Sequence, residues 1–199
     1  RFHDDYATRT VSVRDLLCHR TGLPRHEYSW YGTDYTRDDI IHNLRFLEPN
    51  RPIRTTFQYN NQCYVLAGRV LERLTGTTFE ELVCRRILEP LGMRRSRLYV
   101  DELTEDRNHA VGYGRPDGRD PVHGRVPIPS YKSSVEDRSA GVGSPFAPAG
   151  CISSCVDDLL VWARLHLGDD SAPADVLSPA ALATLHAPQT ILDRPLDMP

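Results

Sequence analysis

The sequence predicts an α+β protein in which helices make up most of the 199 residues. Residues 1–95 contain helix caps and apolar residues spaced three and four apart, which is the pattern of helices that bury one face. Residues 96–150 are rich in glycine and proline and hold short candidate strands, so we expect loops and edge strands there. Residues 151–199 return to the helical pattern. The chain is therefore expected to have three successive parts, of which the first is a helical domain.

The first two predicted helices begin at hydroxyl residues. Ser12 and Asp15 have the spacing of a capping box, in which a hydroxyl and a carboxylate satisfy each other's free backbone donors. Thr36 and Asp39 repeat that spacing. The segment after Thr36 carries one apolar stripe, formed by Ile40, Ile41, Leu44 and Leu47. Residues that break helices follow both segments, namely Gly22, Pro24, Pro49 and Pro52.

A third helix is predicted over 61–74 and should be central. Its apolar residues cover more than one face and are Tyr64, Val65, Leu66, Val70, Leu71 and Leu74. Gly76 ends this helix, and Thr78 caps a fourth helix that leads to residues 89–93.

The remaining elements are shorter. Segments 97–100 and 110–113 have the composition of strands. Ser154 is expected to cap a helix that carries Leu159 and Leu160. Ser178 followed by Pro179 starts a last helix that runs to His186.

The composition excludes several classes of protein. With 40% hydrophobic residues, 26% charged residues and a net charge of -3, the chain has the profile of an ordinary globular protein. The basic residues are 23 arginines and one lysine, Lys132, and they form no cluster that would bind nucleic acid. No apolar run approaches the ~20 residues of a membrane-spanning helix. We therefore expect neither a nucleic acid partner nor a membrane span in this chain.

The five cysteines are odd in number and include no C-x-x-C pair, which argues against a disulfide framework and a zinc ribbon. They are Cys18, Cys63, Cys84, Cys151 and Cys155. Free thiols favour a reducing compartment such as the cytoplasm, although a secreted protein that leaves its cysteines unpaired would look the same.

The familiar catalytic motifs are missing. The sequence has no P-loop, no H-E-x-x-H and no G-x-S-x-G, and its histidines are scattered, so neither a cofactor nor a metal is expected. What remains is Tyr59 and Asn61, which stand at the entrance of the third helix. These two residues are candidates for a catalytic role. Alternatively, they are structural: Tyr59 packs with its hydroxyl on a backbone carbonyl, and Asn61 caps the helix.

Four ordered segments of the chain resemble the penicillin-recognising serine hydrolases, in the branch that contains class C β-lactamases, D-alanyl-D-alanine carboxypeptidases and related esterases and transacylases. The segments read V-R-D-L-L-C-H-R-T-G-L-P at 13–24, Y-V-L-A-G-R-V-L-E-R-L-T-G at 64–76, I-L-E-P-L-G-M at 87–93 and A-P-A-G-C-I-S-S at 147–154. The resemblance implies the β-lactamase/transpeptidase-like α+β fold. It also implies that this chain is mostly the helical domain, that residues 151–199 lead back towards the sheet, and that much of the antiparallel sheet is absent.

The resemblance implies a reaction through an acyl-serine intermediate on an ester, an amide, a D-amino peptide or a β-lactam. Tyr59 and Asn61 match the Y-x-N motif of the family. By this resemblance Tyr59 is the general base or proton relay. Asn61 would hold the acyl amide of the substrate and the family's active-site lysine, and Asn60 takes the variable middle position.

The chain departs from the family at the nucleophile. The only lysine, Lys132, has Pro129 three residues before it, so no S-x-x-K motif is present. We expect that motif upstream of Arg1 and a third motif beyond the end of the chain, which makes the chain an internal fragment that is inactive alone. Two alternatives stay open: an inactive family member that acts as a binding or scaffold protein, and a helical interaction domain with a chance resemblance.

An aromatic segment at 28–31 is a second candidate site. Trp30 and Tyr31 are candidates for the rim of a substrate-binding pocket. Alternatively, the rings of this segment pack on the helical layer.

Overall fold

The structure, a computed structural model, describes residues 1–30, 33–110, 113–114, 126–127, 144–168 and 176–192. The candidate residue Tyr31 and the single lysine, Lys132, lie outside the described residues. In the described part helices dominate, as the sequence predicts. The division into three parts at 1–95, 96–150 and 151–199 stays a prediction.

The N-terminal helices begin where the caps place them. They are α1 (Asp5–Thr10), α2 (Val13–Leu17), a 3-10 turn (Glu27–Ser29), α3 (Arg37–Asn43) and a second 3-10 turn (Leu44–Phe46). Both predicted capping boxes are formed, by Ser12 with Asp15 and by Thr36 with Asp39. Helix α1 was not predicted, and Asp4 caps it by accepting a hydrogen bond from the Ala7 backbone N–H at 2.6 Å.

Helix α4 (Asn61–Thr75) is the centre of the fold. It packs against α2, α3, α5 and α8, and it buries Cys63 and Val65 completely. Gly76 ends it in the left-handed conformation, with φ of 68°. The expectation of burial on more than one face fails near this end, because Leu71 is 46% exposed and Leu74 is 78% exposed.

The fourth predicted helix is interrupted. It consists of α5 (Phe79–Val83), a π-helical turn (Cys84–Leu88) and α6 (Glu89–Leu91). Thr78 caps α5 by accepting from the Glu81 backbone N–H at 3.3 Å, as predicted.

The prediction of a strand over 97–100 is wrong. Among the described residues, this segment makes one isolated backbone bridge, between Arg97 and Ser153, and helix α7 (Val100–Glu105) begins directly after Tyr99. Burial of Leu98 in the core explains the apolar pattern that resembled a strand. Of the segment 110–113, Tyr113 belongs to a strand, because β1 (Tyr113–Gly114) pairs antiparallel with β2 (Val126–Pro127).

The C-terminal helices are α8 (Ala147–Gly150), α9 (Val156–His166) and α10 (Pro179–His186). Ser178 caps α10 as predicted. The cap of α9 differs from the prediction, because Cys155 occupies the N-cap position and makes no side-chain cap bond. Ser154 instead shares a hydrogen bond of 2.8 Å with Ser96, whose hydroxyl also donates to Asp158 at 2.8 Å.

Three groups of buried apolar residues hold the described elements together. One lies between α1, α2 and α4, a second between the α5–α6 segment and α9, and a small third joins Trp30, Ile40 and Val65. Helix α4 contributes to the first and the third, so its N-terminal half is fixed from two sides. Among the residues that the structure describes, no helix is both long and apolar enough to cross a bilayer.

A buried ion network fixes α3, α4 and α5 to the chain that enters α8. Arg37 is 7% exposed, and its guanidinium pairs with the carboxylates of Glu72 and Glu80, the latter at 2.8 Å. It also donates to the carbonyls of Ser144 at 3.1 Å and Pro145 at 3.4 Å. One side chain therefore joins four segments of the fold.

Helices α4 and α8 pack closely at Gly68. A Cβ atom at this position would lie 2.4 Å from Cγ of Pro148. We expect Gly68→Ala to lower the free energy of unfolding by about 1–3 kcal/mol, the usual cost of overpacking, although alanine normally favours a helix. Urea denaturation measures this. The exposed Arg73→Ala on the same helix is the control, expected to stay within about 0.5 kcal/mol, and an equal change in both variants would contradict the prediction.

Candidate functional site

Asn60 fixes the backbone between the two candidate catalytic residues. Its side chain is completely buried, accepts from the Cys63 backbone N–H at 3.0 Å and donates to the Pro24 carbonyl at 2.8 Å. Asn60 therefore caps α4, and the structural reading in which Asn61 is the cap is wrong. Asn60, the middle residue of the motif, also anchors the motif to the loop at Pro24.

His19 supports this segment from the side of α2. Its Nδ1 atom accepts from the Asn60 backbone N–H at 3.1 Å, and its carbonyl accepts from the Gln58 N–H at 2.7 Å. Its ring centroid lies 4.6 Å from that of Tyr59 and 5.0 Å from that of Tyr64. The sequence places His19 in the segment that resembles the family but assigns it no role, and the structure shows that it holds the backbone of the Tyr59–Asn61 segment.

A buried carboxylate anchors the loop that precedes Tyr59. Asp15 accepts from Arg54 Nη2 at 2.8 Å and from Arg20 Nε at 2.7 Å, and it also closes the capping box with Ser12. Burial alone would raise the pKa of Asp15, but the hydrogen bonds from Arg54, Ser12 and Arg20 together hold it well below its ordinary value. Asp15 thus stays ionised and keeps the loop at Arg54 in place.

Arg25 and Glu27 each contact one of the two candidate catalytic side chains: Glu27 contacts Asn61, and Arg25 contacts Tyr59. Asn61 Nδ2 donates to Glu27 Oε1 at 3.0 Å, and Arg25 Nε donates to the same oxygen at 3.0 Å. The Arg25 guanidinium carbon lies 5.2 Å from the centroid of the Tyr59 ring. Sequence reasoning missed both residues, because nothing in their local pattern marks a contact to residues more than thirty positions later.

Tyr59 and Asn61 open on one cleft of about 350 Å³. Trp30 lines the same cleft, so the structure brings together three of the four predicted site residues. Trp30 is 8% exposed and its ring centroid lies 3.6 Å from that of Phe146, so it both packs on the fold and forms a wall of the cleft. The other lining residues are mostly apolar: Leu103, Phe146, Ala149, Gly150, Cys151, Ile152 and Ser153. The cleft therefore offers a phenol and a carboxamide beside an apolar wall.

Metal ligands are not grouped in the part of the chain that the structure describes. No cluster of three or more histidine, cysteine, aspartate or glutamate side chains there could hold an ion.

The protonation state of His19 gives a prediction for stability. Its Nδ1 accepts a hydrogen bond, and burial lowers the pKa of His19 from 6.5 to about 4. As the pH falls, the unfolded chain binds a proton at this histidine at a higher pH than the folded chain does. The free energy of unfolding therefore has its full value above about pH 6.5 and falls as the pH drops towards 4. We expect a loss of about 2–3 kcal/mol between pH 7 and 4.5, measured by urea unfolding.

The variant His19→Gln keeps an acceptor without a titrating group and isolates this effect, because burial also lowers the pKa of His26. We expect His19→Gln to flatten the pH dependence. The contribution of Asp15 to stability is lost mainly below its unfolded pKa of 3.8, outside the window of this measurement. An unchanged slope in His19→Gln would show that His19 is not its source.

The chain is similar to several known proteins. It is 31% identical over 193 residues to "Unguisins hydrolase ungD'" of Aspergillus campestris, covering 94% of this chain and 33% of that protein. The solved octameric penicillin-binding protein homologue from Pyrococcus abyssi aligns with a TM-score of 0.69 and 26% identity over 89% of this chain and 38% of that chain. The D-amino acid amidase from Ochrobactrum anthropi, complexed with D-phenylalanine, aligns with a TM-score of 0.60 and 25% identity over 86% of this chain and 47% of that chain.

The chain thus spans about a third of the length of the fungal relative and less than half of the two solved chains. These likenesses agree with the β-lactamase/transpeptidase-like fold that the four segments imply. The sequence model of the beta-lactamase family matches residues 3–193, which is nearly the entire sequence. The chain therefore belongs to the beta-lactamase family.

Proposed function

We propose that this chain is the helical part of a serine hydrolase or acyltransferase that works through an acyl-serine intermediate. One observation carries the proposal: the Tyr59 phenol and the Asn61 carboxamide, which match the family's motif, line a single cleft with an apolar wall. In this proposal Tyr59 relays the proton and Asn61 holds the acyl group.

The chemistry needs a proton path. A serine Oγ attacks the acyl carbon, the bond to the leaving nitrogen or oxygen breaks, and the serine proton reaches that leaving atom through Tyr59. Water or an acceptor alcohol or amine then attacks the acyl carbon, the bond between that carbon and the serine Oγ breaks, and the proton of the attacking group returns through Tyr59 to the serine oxygen. The Arg25 guanidinium carbon lies 5.2 Å from the centroid of the Tyr59 ring and so contacts the group that would relay the proton.

The serine and its lysine come from outside these 199 residues, because the sequence has no S-x-x-K motif. The much greater length of the matched relatives supports this part of the proposal. Both groups would have to approach the cleft at Tyr59 and Asn61.

The substrate that fits the cleft is an ester or amide with an apolar group near the scissile bond. The stacked rings of Trp30 and Phe146 supply the apolar surface for such a group. The D-phenylalanine complex of the similar amidase supports a D-amino acid derivative as one form of this substrate.

Covalent labelling tests the proposal. The complete protein that contains this chain is treated with a fluorophosphonate, digested and analysed by mass spectrometry. We expect one labelled serine, in an S-x-x-K motif outside these 199 residues, while the 199-residue chain alone stays unlabelled. A labelled serine within this chain would contradict the proposed nucleophile, and a complete protein without label or esterase activity would favour the binding or scaffold alternative.

A further inference from the structure

We propose that Arg25 and Glu27 form a positioning clamp that sets the side chains of Tyr59 and Asn61 for the reaction. The proposal rests on the proposed function, because it gives these two positioning residues a part in the same site. It is carried by three contacts: Asn61 to Glu27, Arg25 to Glu27, and Arg25 to the Tyr59 ring.

The contact with Glu27 determines which way the Asn61 amide faces. An ionised carboxylate can only accept hydrogen bonds, whereas a carboxamide has N–H donors at one end and an acceptor oxygen at the other. The 3.0 Å contact between Asn61 Nδ2 and Glu27 Oε1 is therefore favourable in one orientation, and a flipped amide would place two oxygens against each other. This leaves the second N–H and the Oδ1 atom of Asn61 free to serve an acyl amide and an ammonium.

Arg25 joins Glu27 to the other candidate catalytic residue. Its Nε donates to the oxygen that also binds Asn61, and its guanidinium carbon lies 5.2 Å from the Tyr59 ring centroid. That distance is within the range of a cation–π contact. Arg25 thus holds the ring of Tyr59 while it is bonded to the carboxylate that holds Asn61.

The backbone under the clamp is fixed to α4. Glu27 opens the 3-10 turn after His26, and the Ser29 hydroxyl donates to the His26 carbonyl at 2.7 Å. Gln62, in the first turn of α4, donates from Nε2 to that same hydroxyl at 2.7 Å. The clamp is therefore attached to the helix whose entrance carries Tyr59 and Asn61, unlike an isolated surface ion pair.

Double-mutant cycles in the complete protein test the clamp, with p-nitrophenyl butyrate as substrate. We expect Glu27→Ala to lower kcat about 10-fold with KM within about 2-fold, since a small misplacement of a catalytic group is costly. In an Asn61→Ala background the same change should have no further effect. Arg25→Met should also lower kcat in wild type, and by a smaller factor in a Tyr59→Phe background, where only its effect through Glu27 and Asn61 is left. Glu27→Gln, which restores an acceptor, should recover part of the lost kcat.

The exposed pair Glu81 and Arg85 supplies matched controls, and Glu81→Ala and Arg85→Met should leave kcat unchanged. Equal losses from Glu27→Ala in wild type and in Asn61→Ala would overturn the clamp. If Glu27→Ala unfolds, the cycle of Arg25, which is partly exposed, with Tyr59 decides the question. Loss of turnover in Tyr59→Phe and Asn61→Ala, with full turnover in both clamp variants, overturns the clamp alone. Full turnover in Tyr59→Phe and Asn61→Ala overturns the proposed function together with the clamp.

Discussion

Replacing Tyr59 by phenylalanine in the complete protein is expected to lower the turnover of an activated ester by about 10²–10⁴-fold, the usual contribution of a positioned proton-transfer group. Phenylalanine keeps the ring that packs against His19 and under Arg25, and it removes only the hydroxyl. The loss should therefore appear in kcat, with the melting temperature unchanged. Steady-state kinetics with p-nitrophenyl butyrate measure the effect.

Tyr64→Phe is the matched control for this experiment. The Tyr64 ring stacks on the same histidine, and its hydroxyl donates to the carbonyl of Leu17 at 2.8 Å; neither residue is part of the cleft lining. Turnover in this variant should stay close to that of the unaltered protein. An unchanged rate in Tyr59→Phe, or an equal loss in both variants, would remove Tyr59 from the mechanism.

Replacing Arg37 by methionine is expected to lower the free energy of unfolding by about 3–5 kcal/mol, the usual cost of removing one member of a buried ion pair. Both carboxylates that it pairs with are buried, since Glu72 is 8% exposed and Glu80 is completely buried. The two carbonyls at Ser144 and Pro145 also lose a donor. Urea denaturation at pH 7 measures the loss.

Arg85→Met is the control that separates the stability lost from a buried ion pair from the stability lost with any ion pair. Arg85 pairs with Glu81 at 2.5 Å, but both side chains are exposed, so its removal should cost no more than about 1 kcal/mol. Adding Glu80→Gln to Arg37→Met should recover part of the stability, because the buried carboxylate is then replaced by a neutral amide, while Glu72 keeps its ion pair with Arg69 at 3.0 Å. Similar losses in Arg37→Met and Arg85→Met would show that the buried network contributes little.

The sequence predicts the starts of α2, α3, α5 and α10 because their caps are local. Ser12, Thr36, Thr78 and Ser178 each bond a backbone N–H within three residues, so the pattern and the structure agree. Segment 97–100 has the composition of a strand, but Leu98 is buried by tertiary packing, which carries no local period. The exposure of Leu71 and Leu74 likewise depends on what packs against α4, which periodicity does not reveal.

The candidate site also has residues that the sequence predicts and residues that it does not. The family-like segments point to Tyr59 and Asn61, but their partners are distant in sequence: His19 bonds a backbone 41 residues later, and Glu27 bonds an amide 34 residues later. The choice between Asn60 and Asn61 as the helix cap is ambiguous in sequence, because two identical side chains stand side by side. The folded structure shows that the Asn60 side chain is the one that is completely buried.

The close approach at Gly68 has a consequence for the shape of the cleft. Tyr59 and Asn61 stand at the entrance of helix α4, and Ala149 and Gly150 of α8 line the same cleft. Pro148, directly before these residues, leaves no room for a Cβ atom at position 68. A larger residue at position 68 would therefore have to push α8 away from α4, and Ala149 and Gly150 would move away from Tyr59 and Asn61 with it.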